Sequence, residues 1–165
     1  MRSQHVEEPR GWRDHASPLS LIVLAAIVGA GALGVAGSPT VEHTAEGPAA
    51  RLTLRSPDVI RNGEIYEARV TVEALRPIGK LALGVAPELW HDTTVNSMVP
   101  APTEETHADG LFRFTYGPLR RGDRFEAKLA LQINPTLSGR NEGRVVVFDG
   151  ETPLLEMQRT IRILP

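Results

Sequence analysis

Apolar residues are distributed along this chain in two ways. From Leu19 to Gly37 the sequence reads LSLIVLAAIVGAGALGVAG, with no charged side chain, close to the ~20 residues with which a helix crosses a bilayer core. A helix satisfies its own backbone donors and acceptors, which lipid demands. Without Asp, Glu, Lys, Arg or His the run holds no ion-relay group. Pro18 opens it and Ser38-Pro39 closes it, both ordinary positions for proline at helix ends. We therefore expect one transmembrane α-helix over residues 18–37, with the lipid bilayer contacting residues 19–37.

The flanks orient it. Arg2, Arg10 and Arg13 precede the helix, and no Arg or Lys follows it until Arg51, so the positive-inside rule places residues 1–17 in the cytoplasm and the rest outside the cytoplasmic membrane. The alternative is a cleaved signal peptide, for which Val35-Ala36-Gly37 offers small residues near a cleavage point. Its leading segment is long and partly acidic, and its apolar run exceeds the ~7–15 residues of a signal core. Ala26, Ala30 and Gly34 recur at four-residue spacing, a stripe that lets a second helix approach closely. Compositional bias in an Ala- and Gly-rich run also produces such stripes.

Residues 38–50, SPTVEHTAEGPAA, show no sustained apolar period and carry two prolines, and read as a flexible tether. From 51 to 165 the period changes to two, the mark of half-buried strands. In Ile65 to Ala74 the residues Tyr66, Ala68, Val70, Val72 and Ala74 fall on one face; in Arg124 to Asn134 so do Phe125, Ala127, Leu129, Leu131 and Ile133. These two segments are expected as opposing walls of a core. Shorter strands are expected at Leu52/Leu54, Leu81/Leu83/Val85, Thr93 to Val99, Phe112/Phe114/Tyr116, Val145 to Phe148 and Leu155 to Ile163, separated by Gly, Asn and Asp turns such as Asp149-Gly150. Seven to eight short strands without an amphipathic helix give an all-β chain, an antiparallel immunoglobulin-like β-sandwich behind the helix.

The chain has 165 residues, a net charge of -2, no cysteine and few aromatics. Near-balanced charge removes nucleic acid as a partner class. The absence of cysteine leaves the sandwich to be held by its core alone. The stretch FTYGPLRRGDRFEAKLALQINP, followed by SGRNEGRVVVFDG, resembles the second half of bacterial immunoglobulin-like or fibronectin-III-like cell-surface domains. The resemblance covers residues 51–165 and implies a binding or spacer module with no catalytic residues and no cofactor.

Candidate chemistry is sparse. His5 and His15 precede the helix and His43 lies in the tether; only His91 and His107, with Asp92, Glu104, Glu105 and Asp109 nearby, offer donors for an outer metal site, and their spacing matches no ligand pattern. No G-x-S-x-G occurs, and Gly29-x-Gly31-x-x-Gly34 sits inside the apolar run, where no dinucleotide binds. Arg121-Gly122-Asp123 reads as a polar turn. Trp90 and His91 form the candidate partner contact, although Trp90 also suits a plug at an open end of the sandwich. Arg159 occupies an inward register between Met157 and Ile161, which a bulge or an edge strand would relieve. The expectation is a membrane-anchored extracytoplasmic binding module, an accessory or interaction subunit of an envelope protein complex. The alternatives are an envelope metal-binding protein or enzyme using residues 90–109, and a structural spacer.

Overall fold

The structure is a computed structural model that describes residues 17–32, 37–135 and 138–165. They belong to two units that divide between Gly37 and Ser38. In the first, helix α1 (Pro18–Ala32) has 15 residues and no buried side chain. Leu19, Leu21, Ile22, Val23, Leu24, Ile27 and Val28 are all exposed. At 1.5 Å per residue it rises roughly 22 Å, short of the ~30 Å hydrocarbon core. Among the described residues no helix is long and apolar enough to cross a membrane. Of the expected span over 18–37, the helix is described over Pro18–Ala32, and residues 33–36 lie outside the described residues. Gly34 and the segment before Ser17 lie outside the described residues.

The second unit is a β-sandwich of two sheets. One has the order β1 (Thr40–Glu46), β2 (Ala50–Pro57), β4 (Ile65–Ala74), β9 (Arg124–Ile133) and β6 (Thr93–Val99). The other has the order β3 (Val59–Arg61), β11 (Thr152–Leu164), β10 (Gly139–Asp149), β5 (Leu81–Val85), β8 (Leu111–Thr115) and β7 (Glu104–Ala108). Neighbours are antiparallel except β3 and β11, which run parallel. The described strands outnumber the seven to eight expected because β1, β3 and β7 lack a clear apolar alternation.

The period-2 segments form the strands they predict. On β4 the residues Tyr66, Ala68, Val70, Val72 and Ala74 are buried, as are Ala127, Leu129, Leu131 and Ile133 on β9. The two are not opposing walls: Ala68 pairs with Leu129 and Val72 with Phe125 in one sheet. Alternation fixes which face a residue takes but not which sheet the strand joins. The core between the sheets includes Leu52, Ile60, Leu81, Ile133 and Val147, all fully buried. Each contributes about 1.5–3 kcal/mol relative to exposure.

The tether expected over 38–50 is largely ordered structure. Thr40 to Glu46 pairs with Arg51 to Pro57 along its whole length, and Ser38 Oγ donates to Glu64 Oε2 at 2.8 Å. An edge strand has one neighbour and one half-buried face, and here that face is made by Val41, His43 and Ala45.

The solvent face of the β1-containing sheet carries ion pairs, all but Arg69–Glu67 reaching across strands. Arg51 reaches Glu46 at 2.9 Å and Glu73 at 2.8 Å, Arg55 reaches Glu42 at 3.5 Å, and Arg69 reaches Glu67 at 3.0 Å and Glu126 at 3.7 Å. Exposed pairs of this kind add little to stability because water screens them. They also leave the face hydrated.

Candidate functional site

Strands β6 and β7 each form one edge of their sheet, and both are largely exposed. Between them runs a groove of about 720 Å³ lined by Trp90, Val95, Met98, Glu105, His107 and Phe112 among others. Its aromatic side chains are packed in order. Trp90 stacks on Phe112 with centroids 6.2 Å apart and 21° between planes, and leans on Phe114 at 5.5 Å. His107 meets the edge of Phe112 at 5.3 Å. Phe112 and Val95 are each 38% exposed, so apolar surface faces water on both sides of the groove. A cleft with apolar walls and a few polar groups is the usual form of a binding site.

Trp90 is placed by backbone packing. It ends the short 3-10 turn Pro87–Trp90, which lies so close over β10 that a Cβ on Gly143 would meet Leu89 Cβ at 3.0 Å and Ala86 Cβ at 3.1 Å. Only glycine leaves that space. The half-buried indole packs against the core while forming part of the groove, so it both closes an end of the sandwich and presents an aromatic surface. His91 does not share the groove. Its side chain is 67% exposed, with Nδ1 3.3 Å from Asp92 Oδ2, and it borders a shallow depression with Glu88, Arg140 and Glu142. The sequence neighbours separate because the turn ends between them.

The remaining donors of the 90–109 region do not converge. Lys80 Nζ donates to Glu104 at 3.2 Å, Asp109 is bound by Arg113, and His107 rests on Phe112. Among the described residues no group of three His, Cys, Asp or Glu could hold a metal ion. Arg121-Gly122-Asp123 is a turn, in which the Arg120 N–H donates to Asp123 Oδ2 at 2.8 Å and the Gly122 N–H to the Ala74 carbonyl at 2.7 Å. Ala26 and Ala30 lie one turn apart on α1.

A second polar centre lies inside the sandwich. Arg159 is not flipped outward by a bulge, and its strand is not an edge. It is 5% exposed, β11 sits between β3 and β10, and the register shift of the β10–β11 pair falls between Val147 and Phe148. The inward guanidinium is held by partners far away in sequence: Arg159 Nη2 donates to Asp58 Oδ1 at 2.7 Å and to Ser56 Oγ at 3.0 Å. His43 Nε2 sits 2.9 Å and 3.0 Å from the two Asp58 oxygens. Burial pushes the Asp58 carboxyl upward, but hydrogen bonds and charge from Arg159 and His43 outweigh it and hold the group below its ordinary value.

Beside this cluster is a cavity of about 50 Å³ between the sheets, bordered by Tyr66, Arg159 and otherwise mainly apolar side chains. Burial pushes the Tyr66 phenol up to about 12. Tyr66 Oη and Arg159 Nε have no hydrogen-bond partner. At the groove side, Tyr116 Oη donates to Met98 Sδ at 3.1 Å, and burial together with the nearby Glu105 charge raises that phenol to about 12. Sequence reasoning found Trp90 but missed Phe112 and His107 as its companions, and the Asp58–Arg159 pair entirely. The inward register of Arg159 was the one available signal for that pair.

No family model and no curated protein matches this sequence. Solved structures align with it at low identity. The CARDB domain of a Pyrococcus furiosus protein, solved with di-metal ions, is 16% identical with a TM-score of 0.45, over 75% of this chain and 95% of that one. A non-cellulosomal cohesin from Archaeoglobus fulgidus is 13% identical with a TM-score of 0.41, over 67% of this chain and 88% of that one. A Niemann-Pick type C2 protein from the Japanese carpenter ant is 7% identical with a TM-score of 0.46, over 75% and 99%.

Proposed function

We propose that the chain is a membrane-anchored, non-catalytic binding module whose sandwich lies outside the cytoplasmic membrane and takes a protein partner across its open side, as an accessory subunit of an envelope complex. The observation that carries this reading is the groove between the free edges of β6 and β7, where Trp90 and Phe112 stack and Val95 and Phe112 stay exposed. Aromatic anchors surrounded by polar rims are where binding energy concentrates in protein interfaces, and free strand edges accept extended segments of a partner. The solvent face of the β1-containing sheet is dominated by ion pairs, with the exposed Ile65 and Val99 standing singly among them.

Support for the anchor comes from α1, uncharged, exposed and apolar on every side, with Arg2, Arg10 and Arg13 before it and no further Arg or Lys until Arg51. This reading requires the whole run from Leu19 to Gly37 to act as one span in lipid. Ala26 and Ala30, with Gly34, would then offer a helix-contact face.

The test is photo-crosslinking of the full chain in native membranes, with a photoreactive residue at Phe112 in the groove or at Arg55 on the ion-paired face. One dominant adduct from position 112 and none from position 55 is the expected result. Adducts from neither position would favour a spacer without a partner, and equal adducts from both would remove the groove as the site.

A further inference from the structure

The groove between β6 and β7 holds a negative charge with no counter-charge. Among the described residues that line it, Glu105 is the one carboxylate and no Lys or Arg is present. The adjacent Glu104 points to the other face of the strand, where Lys80 Nζ answers it at 3.2 Å. Among the described residues Glu105 has no salt-bridge partner.

Strand β7 sets this carboxylate beside the aromatic wall. In the β7–β8 ladder Glu105 stands opposite Phe114 and His107 opposite Phe112, and residues directly opposite one another share a face. That face carries the Trp90–Phe112 stack. The Glu105 charge is felt at Tyr116, where it adds to burial in raising the phenol. We infer that the partner segment seated in this groove presents a lysine or arginine side chain to Glu105 and an apolar side chain, two residues away, to Phe112.

Each part of that assignment follows from the groove. An exposed carboxylate among apolar walls favours a cation, and the long stem of lysine or arginine packs on apolar surface while its charged head stays with the carboxylate. Aromatic rings add their own attraction for a cation. The spacing comes from the strands: side chains two residues apart on one face of an extended segment are about 7 Å apart, and Phe112 lies one such step along from Glu105, at the level of His107. A segment extended beside β7 therefore meets both with alternate side chains. A second copy of this chain brings its own Glu104 and Glu105, and like charges set opposite one another repel. Loss of the Glu105 charge weakens docking without abolishing it, because the apolar walls remain.

This inference rests on the partner-binding reading and names what the partner presents. The experiment is saturation-transfer NMR on the full chain in phosphatidylcholine nanodiscs, with acetyl-Thr-Lys-Thr-Leu-Thr-amide as probe and two further peptides in which norleucine or glutamate replaces the lysine. Saturable binding of the lysine peptide, roughly fivefold weaker binding of the norleucine peptide and none of the glutamate peptide are expected; fivefold corresponds to about 1 kcal/mol, the upper end for an exposed ion pair. Glu105→Gln should bring the lysine peptide down to the norleucine level, and Glu104→Gln, outside the groove, should leave it unchanged. Both variants alter exposed side chains, and an unchanged melting temperature verifies that they fold. Binding of no peptide, equal binding of the lysine and norleucine peptides, or equal losses in the two variants overturns the inference. The partner-binding reading fails separately, by the absence of an adduct from position 112 in native membranes.

Discussion

Arg159 and Asp58 are 101 positions apart in the sequence and 2.7 Å apart in the fold, with the guanidinium 3% and the carboxylate 35% accessible at the side chain. The pair links β11 of one sheet to the turn that follows β2 of the other, so it joins the two layers where a core of hydrocarbon alone would be expected. Removing one member of a buried pair leaves the other uncompensated. Asp58→Asn should therefore lower unfolding stability by about 2 kcal/mol, less than for a fully buried pair because Asp58 reaches solvent. Urea unfolding at pH 7 measures this.

The same pair sets an acid limit. The folded Asp58 carboxyl lies below its ordinary value of 3.8, so its contribution is fully present above the unfolded value and is lost as pH falls through the lower folded value. The urea midpoint should drop below about pH 4, and the drop should be smaller in Asp58→Asn, which no longer has that proton to bind. Equal acid sensitivity in both proteins would assign the loss to other carboxylates.

On the outer face of the second sheet, Phe148 lies across Gly84. A Cβ at position 84 would stand 2.8 Å from Phe148 Cε2 and 3.1 Å from Leu111 Cδ1, while the Arg113 guanidinium sits 4.3 Å from the Phe148 ring centroid on the same face. Gly84→Ala must displace the ring and disturb that cation–π contact. A loss of about 1–3 kcal/mol is expected from the overpacking, read as a lower midpoint in urea.

Phe112 and His91 separate binding from stability. Phe112 is 38% exposed, so Phe112→Ala should cost about 1 kcal/mol of stability yet remove the adduct formed by a photoreactive residue placed at groove position Glu105. His91→Ala, outside the groove, should leave the adduct intact. An adduct lost in His91→Ala and kept in Phe112→Ala would move the contact to the depression beside Arg140.

Leu24 lies mid-helix in α1 and is 57% exposed. A charge at the centre of a spanning helix costs about 2.5–3.5 kcal/mol on insertion scales. Leu24→Asp should shift the full chain from the alkaline-resistant membrane pellet to the extract, whereas Arg55→Asp should not. Retention of Leu24→Asp in the pellet would speak against a spanning anchor.

Much of the sandwich could be read from the chain because β4 and β9 alternate cleanly and bury the predicted side chains. Strands β1 and β7 could not. The sequence TVEHTAE buries no residue, with half-buried and exposed positions alternating, and EETHA is exposed at every position but the last. Strands at sheet edges need no apolar face, so periodicity has nothing to detect. The site was legible in part: Trp90 stood out as a large aromatic in a turn, but its stacking on Phe112 depends on β8 lying next to β5, a long-range pairing. The same holds for Arg159, whose inward position the register showed but whose partner Asp58 it could not name.

The free edges of β6 and β7 also govern how the protein behaves on its own at high concentration. An unpaired edge is a template for indiscriminate strand pairing and aggregation. Here β6 is interrupted by an irregularity between Val95 and Ser97, and β7 opens with Glu104 and Glu105, whose like charges oppose a second copy docking edge to edge. These charges favour an open side over edge-to-edge self-pairing, and replacing Glu105 by valine should raise self-association, read as concentration-dependent light scattering.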